Sequence, residues 1–285
     1  MDPMNNQDIT SLTDVAKLDI PSLPIVAFKV LEILRKESSN TDDLSSIISF
    51  DLSFASRLLK AANSPYFSRG GEVSSIDEAI LRLGFATVSD IVIMSALKDL
   101  RRNADEIDTG LWEHSTAVAV ACKLMAEQLG YGSATDHLVH GLLHDIGKMV
   151  MNINFKKKYA KVIDEVRSSG KPFEDVEFAV FGYTHSAMGD YTARTWKLPG
   201  EIRSAISLHH SIASEIADRK DITDVLLVKA ADYICSELRI GIYDNFDSIE
   251  KDLEFIGLTN ASKIDSLKTK VEEEYPKYKS FLLGE

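Results

Sequence analysis

The sequence predicts an all-α protein. Over most of the 285 residues, apolar side chains recur at intervals of three and four, the spacing of one face of a helix. No proline interrupts residues 66–171, and proline would end or kink a helix. No run shows the alternating pattern of a half-buried strand. We therefore expect a two-lobed bundle of helices without a sheet.

The N-terminal lobe is expected to contain five helices, and the sequence marks several of their ends. Pro24 suits the first turn of a helix. Asp42 and Asp43 are acidic residues at a position where a helix N-terminus favours them. Pro65 restricts the residue before it and so ends the third helix. The expected helices begin near Pro24 and Thr41 and cover about 52–62, 75–84 and 88–100.

The C-terminal lobe is expected to follow the polar segment 101–106, so that the lobes comprise residues 1–105 and 106–285. Its first helix covers about 112–129, and Gly130 is a suitable C-terminal stop. Further helices are expected at about 135–143, 159–168, 173–180, 186–197, 201–209, 224–238, 248–256 and 261–281.

The charge of the chain argues against nucleic-acid binding. Thirty-two Lys and Arg residues stand against 44 Asp and Glu residues, which gives a net charge of −12. The excess is divided evenly, −6 in residues 1–108 and −6 in residues 109–285, so neither half is basic. An acidic surface repels phosphate backbones. A helix-turn-helix at 41–64 is disfavoured too, because its reading helix would carry only Arg57 and Lys60 as cations.

Two further observations concern the compartment. No apolar run reaches the roughly 18 residues of a membrane span, and residues 1–10 do not resemble a secretory signal. The only cysteines, Cys122 and Cys235, stand alone in apolar stretches, which is typical of buried thiols in a reducing compartment. We expect a soluble, cytoplasmic protein that does not bind membranes.

The histidines are the most informative residues. All seven lie between residues 114 and 210, and His144 is followed directly by Asp145 within an apolar, glycine-flanked stretch that we interpret as helical. An imidazole and a carboxylate can ligate one metal, and the second carboxylate oxygen can bridge to another; such ligands suit Fe, Mn, Zn or Ni. From these two residues alone, a metal site and a buried His–Asp hydrogen bond are equally open.

Several motifs, in this order, resemble the HD superfamily and, within it, the HDOD family (the HD-related output domain). The C-terminal motifs are LWEHS at 111–115, GLLHDIG at 141–147, TH at 184–185 and AISLHH at 205–210. The N-terminal half adds ANSPY at 62–66 and the segment 80–84. The similarity covers about residues 20–235, which makes it far more specific than one His-Asp pair.

The resemblance implies a set of metal ligands. The superfamily signature H…HD…D and the additional histidines of dinuclear relatives fall on His114, His144, Asp145, His185, His209, His210 and Asp232. Asp145 would then bridge two divalent metals. The alternatives are a solvated helix carboxylate for Asp232, and a supporting or surface residue for His210. His137 and His140 match no ligand position, and we expect them to be structural.

The resemblance also implies catalytic roles for Asp145 and Lys148, the lysine meeting a substrate phosphate as in HD hydrolases. The alternative for Lys148 is a solvated surface residue. The sequence departs from the HD-GYP phosphodiesterases, because no Gly-Tyr-Pro motif follows His210. This departure counts against cyclic dinucleotide hydrolysis.

Two functions therefore stay open. The family implies an output or scaffold role in bacterial signal transduction, with other signalling proteins as partners. The ligand set implies a metal-dependent phosphohydrolase acting on a nucleotide or another small phosphoester. A metal-binding signalling protein without turnover satisfies both, and we prefer this interpretation.

The N-terminal lobe is expected to face the partners. Residues 1–110 contain no histidine and no cysteine, so the commonest metal ligands and general bases are missing there. The loop 63–71 is our candidate docking segment. The alternative is that Tyr66 and Phe67 fill the seam between the lobes.

Overall fold

The protein is described here by a computed structural model. It describes residues 18–34, 40–49, 52–65, 67, 71–98, 100, 105–246 and 249–283. Those residues form fourteen α-helices and no strand, which confirms the all-α prediction. Tyr66 and residues 68–70 of the candidate docking loop lie outside the described residues.

The chain divides into two compact units. We call them the N-unit, from the described parts of residues 22–102 and 273–285, and the C-unit, from the described parts of residues 1–21 and 103–272. Most of the expected boundary segment, residues 101–104, lies outside the described residues, so the division at residue 105 stays a prediction.

The N-unit is built around one buried helix. Its helices are α1 (Ile25–Leu34), α2 (Thr41–Ser49), α3 (Leu52–Ala62), α4 (Ile76–Leu83) and α5 (Phe85–Lys98). Residues 88–97 of α5 are all buried, and α1, α2, α3 and α4 pack against this helix. Helix α4 begins with a capping box, in which the Ser75 side chain accepts from the Glu78 amide and Glu78 accepts from the Ser75 amide.

None of the described helices is by itself long and apolar enough to cross a membrane. Taken together, α4 and α5 have the length and apolar composition of a membrane span, but the chain bends by 114° between them.

The C-unit contains the remaining helices. These are α6 (Glu106–Leu129), α7 (Ala134–Leu143), α8 (Ile146–Ser169), α9 (Phe173–Phe181), α10 (His185–Thr195), α11 (Gly200–Leu208), α12 (Ile222–Glu237), α13 (Glu250–Phe255) and α14 (Ala261–Leu283), whose last part belongs to the N-unit. Helix α6 packs along both α7 and α12, and α10 packs along both α8 and α11. Gly130 ends α6 in the left-handed conformation, with φ at 73°, as predicted.

Two helices are longer than expected. Helix α6 begins at Glu106 rather than 112, because the Asp105 side chain accepts from the Asp108 amide and caps it. Helix α8 includes residues 148–158, for which no helix was predicted. Non-helical torsions at Phe155 (φ −133°, ψ 38°) break the periodicity inside α8. Its first half is fixed by tertiary packing, since Val150 and Met151 are buried in the core of the C-unit.

Candidate metal centre

The seven predicted ligands lie in the C-unit, most of them at the ends of helices. His144 and Asp145 form the turn between α7 and α8, so the expectation that this pair lies inside a helix is wrong. The chain leaves helical torsions at Asp145, where ψ is 17°. His185 is the first residue of α10, and the pair His209 and His210 directly follows α11. The remaining two ligands, His114 and Asp232, project from the middle of α6 and α12.

Four imidazoles have their Nδ1 atoms against an acceptor. Nδ1 of His144 lies 2.7 Å from the Gly141 carbonyl, that of His209 lies 2.9 Å from the Ile206 carbonyl, and that of His114 lies 3.1 Å from the Ile240 carbonyl. Nδ1 of His185 lies 2.7 Å from a carboxylate oxygen of Glu177. Because these partners only accept, each Nδ1 carries the hydrogen and donates it. The lone pair of each neutral ring is therefore on Nε2, the arrangement that metal-binding histidines share.

The first group of ligand atoms consists of the Nε2 atoms of His114 and His144, which lie beside Asp232. His114 Nε2 lies 2.9 Å from Asp232 Oδ1, and His144 Nε2 lies 3.9 Å from Asp232 Oδ2. His144 Nε2 also lies 3.3 Å from Asp145 Oδ2. Asp232 is fully buried, so the alternative of a solvated helix carboxylate is wrong.

The second group consists of the Nε2 atoms of His185, His209 and His210, and it lies on the side of Asp145 Oδ1. Asp145 Oδ1 is 3.4 Å from His185 Nε2 and 3.7 Å from His209 Nε2. His185 Nε2 is 3.0 Å from His210 Nε2 and 3.4 Å from His209 Nε2. Asp145 thus stands between the two groups, with one oxygen toward each.

These residues fit a transition metal. Nε2 of His144, Oδ1 of Asp145 and Oδ2 of Asp232 are buried without a hydrogen-bond partner, which is costly for polar atoms. Neutral imidazole nitrogens and carboxylate oxygens that face each other repel unless a cation or a proton lies between them. Neighbouring ligand atoms around a tetrahedral ion with bonds near 2.0–2.1 Å stand about 3.3 Å apart. The distances given above between atoms of each group lie on both sides of this value, from 2.9 to 3.9 Å.

The electrostatics of the centre favour ionised carboxylates. Burial alone would raise the pKa of Asp145, but His144 and Lys148 hold it well below its usual range. Burial opposes ionisation of Asp232 as well, but a hydrogen bond from His114 Nε2 to Asp232 Oδ1, which requires a proton on that nitrogen, outweighs burial and lowers the pKa of Asp232 to about 2. Burial and the neighbouring histidines hold the pKa of His209 well below its usual value, which favours the neutral ring. Burial opposes protonation of His144, but Asp145 and Asp232 outweigh it and raise the pKa of His144. Ionised carboxylates are the form that binds metals, and a metal on His144 would displace the proton from its Nε2.

His185 differs from His209 because an acid supports it. Burial opposes its protonation, but Glu177 and Asp145 outweigh this and raise the pKa of His185 to about 9. A metal on Nε2 would take the place of this second proton.

Lys148 is fully buried, so the alternative of a solvated surface lysine is wrong. Its Nζ lies 2.9 Å from Asp145 Oδ2, 3.6 Å from Asp244 Oδ2 and 4.4 Å from the centre of the Phe173 ring. Burial disfavours the ammonium, but the carboxylates outweigh it and raise the pKa of Lys148 above its usual value. Contact of Lys148 with a substrate phosphate stays a prediction.

Sequence reasoning missed two acidic residues at this centre. Glu177, fully buried, accepts at Oε2 from both the amide and Nδ1 of His185, each at 2.7 Å, and at Oε1 from the Tyr159 hydroxyl. Asp244 Oδ2 lies 3.6 Å from His210 Nε2. No motif or periodicity in the sequence distinguishes either residue, so no sequence signal could have placed Glu177 beside His185.

His137 and His140 are not among these ligands. Both are buried on α7, and His137 Nε2 lies 3.0 Å from Asp224 of α12.

Comparison with known proteins identifies relatives over most of the chain. The family model of the HDOD domain matches residues 20–212. An uncharacterised protein of Treponema pallidum (strain Nichols) is 22% identical over 195 residues, which are 68% of this chain and 38% of that protein. The protein YuxH of Bacillus subtilis (strain 168) is 25% identical over 144 residues, 48% of this chain and 35% of that protein. The matched segments therefore span little more than a third of these curated relatives.

Solved structures show the same fold. An HDOD domain protein of Geobacter sulfurreducens has a TM-score of 0.79 at 24% identity, covering 93% of this chain and 94% of its own. A protein of Shewanella amazonensis, provisionally named a phosphohydrolase, has a TM-score of 0.72 at 22% identity and covers 97% and 99%.

Proposed function

The chain belongs to the HDOD family, and from this premise we propose that it is a bacterial signalling module whose C-unit holds a dinuclear metal centre with a regulatory role. The observation that carries the proposal is the position of Asp145. Each of its oxygens faces a separate group of imidazole Nε2 atoms. Oδ1 is buried without a hydrogen-bond partner, and Oδ2 pairs with the Lys148 ammonium at 2.9 Å.

Each metal would have its own set of ligands from this chain. His114, His144 and Asp232 would hold one ion, and His185, His209 and His210 the other, with Asp145 shared between them. The nitrogen and oxygen ligands favour Fe, Mn, Zn or Ni over Mg or Ca. Because the ligands come from α6, α10, α12 and the ends of α7 and α11, metal occupancy would stabilise the mutual packing of these helices.

Burial supports regulation over turnover. Apart from His210, whose side chain is 16% exposed, the ligands are at most 2% exposed. Lys148, the cation that the resemblance assigns to a substrate phosphate, is enclosed by Asp145, Asp244 and Phe173. In this role the protein would transmit metal occupancy to other signalling proteins, the partners that the family implies.

The second candidate is a metal-dependent phosphohydrolase, and the partial exposure of His210 favours it. A small phosphoester could approach the second group of ligands from this side. Two metals can bind a phosphate, lower the pKa of a bound water and stabilise the leaving oxygen. Asp145 would orient both ions, and Asp244 would keep Lys148 in place beside Asp145.

Metal content and turnover together test these functions. We expect the full chain, dialysed against Zn²⁺ or Mn²⁺, to hold metal that Asp145→Asn largely loses, because Asn lacks the charge and the second carboxylate oxygen. Asp175→Asn, an exposed site on α9, is the matched control and should bind like wild type. Metal binding without hydrolysis of phosphomonoesters or phosphodiesters supports the regulatory role. Turnover that Asp145→Asn abolishes would establish the hydrolase, and unchanged metal content in Asp145→Asn would contradict both.

A further inference from the structure

A second kind of metal-ligand cluster lies on α7 and α12, outside the centre described above. It consists of His137, His140 and Asp224, and one ligand atom from each lies within 4.8 Å of the other two. Both histidines are buried, whereas the Asp224 side chain is 27% exposed. The cluster therefore has buried imidazoles and one carboxylate that solvent can reach.

His137 is oriented like the histidines of the main centre. Its Nδ1 lies 2.8 Å from the Ser133 carbonyl and donates to it, which leaves the Nε2 lone pair 3.0 Å from Asp224 Oδ1. This spacing is close to the roughly 3.3 Å between neighbouring ligands of a tetrahedral ion. The His140 ring stands edge-on to the His137 ring, with 5.5 Å between the ring centroids.

The alternative is an ion pair without a metal. Burial disfavours a charged His137, but the hydrogen bonds to Asp224 and Ser133 outweigh it and raise its pKa. In that state a proton on His137 Nε2 joins the ring to Asp224, in the place that a metal would otherwise occupy. A metal at this position has to displace that proton, and the two states differ in measurable metal content.

We propose that His137, His140 and Asp224 form a third metal site, suited to Zn²⁺ or a similar divalent transition metal. Two imidazoles and one carboxylate are a known zinc ligand set that leaves a fourth position open. No motif of the family resemblance falls on these residues, so the site is independent of the HD signature.

The position of the site suggests what it does. Helix α7 ends immediately before His144, seven residues after His137, which is about 10 Å along a helix. Helix α12 carries Asp224 in its first turn and Asp232 two turns later. A metal at the third site would thus fasten together the two helices that present His144 and Asp232 to the main centre.

The test is the metal content of the full chain after chelator treatment and dialysis against Zn²⁺ alone. We expect His137→Gln and Asp224→Asn each to bind one equivalent less than wild type, whatever the main centre holds. His185→Gln, a variant of the main centre, is the control that separates the two sites. Adding His137→Gln to His185→Gln should remove a further equivalent.

A thermal measurement covers the case in which His137→Gln does not fold. Zn²⁺ should raise the melting temperature of Asp175→Asn as it does that of wild type, and should raise that of Asp224→Asn by less. Equal zinc content in wild type and Asp224→Asn would overturn the third site and leave His137 and Asp224 as an ion pair. That result would leave the proposal of a dinuclear main centre unaffected.

Discussion

At the scale of single residues, the centre depends on acids that support its histidines. Glu177 receives both the amide and the Nδ1 hydrogen of His185, and its other oxygen receives the Tyr159 hydroxyl. These bonds fix the ring so that Nε2 points toward Asp145 and His210. The sequence could single out the seven candidate ligands only because they follow an ordered family pattern. A supporting acid obeys no fixed spacing, and only the fold brings Glu177 to His185.

The first prediction concerns this support. Glu177→Gln keeps the size of the side chain and can still accept from His185, but it removes the negative charge that makes the ring a better ligand. We expect metal affinity at the centre to fall by about 10- to 100-fold, the usual effect of losing such a partner. Competition with a chelator measures it.

Tyr159→Phe is the matched control, because it removes only the hydrogen bond to the other oxygen of Glu177. It should affect metal affinity far less. If Glu177→Gln bound metal as tightly as wild type, the negative charge of Glu177 would not matter for binding.

At the scale of helices, the centre depends on how closely helix ends approach each other. A Cβ atom on Gly147, in the first turn of α8, would stand 1.9 Å from the carbonyl oxygen of His185. Only glycine permits this contact between α8 and α10. The sequence showed the glycines that flank the stretch around His144, but it could not show which backbone would come close to Gly147. It also missed the first half of α8, which the break at Phe155 separates from the regular second half.

The second prediction follows from this contact. Gly147→Ala should lower the free energy of unfolding by roughly 3 kcal/mol, the upper part of the range for overpacked sites, because a backbone carbonyl cannot move away like a side chain. It should also weaken metal binding, since α8 and α10 must separate and draw Asp145 away from His185. Urea unfolding and metal content measure the two effects.

Gly200→Ala, at the start of α11, is the control, because its Cβ would meet no atom within 4 Å. Its stability should change by less than about 1 kcal/mol. Equal free energies of unfolding for the two alanine variants would show that α8 and α10 can move apart at Gly147 without loss of stability.

At the scale of the whole molecule, composition and periodicity predicted most of what the structure shows. The proline-free tract and the regular apolar spacing predicted an all-α chain, and nearly every helix lies where its pattern placed it. The burial of Cys122 and Cys235 was also predicted correctly, from their apolar surroundings. The convergence of ligands from residues 114–232 was not contained in any local pattern. The family resemblance predicted this convergence, and the packing of six helices determines its geometry.

The central claim is that Asp145 joins two metal positions, and anomalous diffraction from crystals grown with Zn²⁺ or Mn²⁺ tests it most directly. We expect two peaks about 3.5–4 Å apart, the usual separation in two-metal sites, with Asp145 bonded to both. One peak should lie beside His114, His144 and Asp232, and the other beside His185, His209 and His210. A single peak, or two that Asp145 does not bridge, would contradict the dinuclear centre. The absence of any peak within bonding distance of these Nε2 atoms would contradict metal binding there altogether.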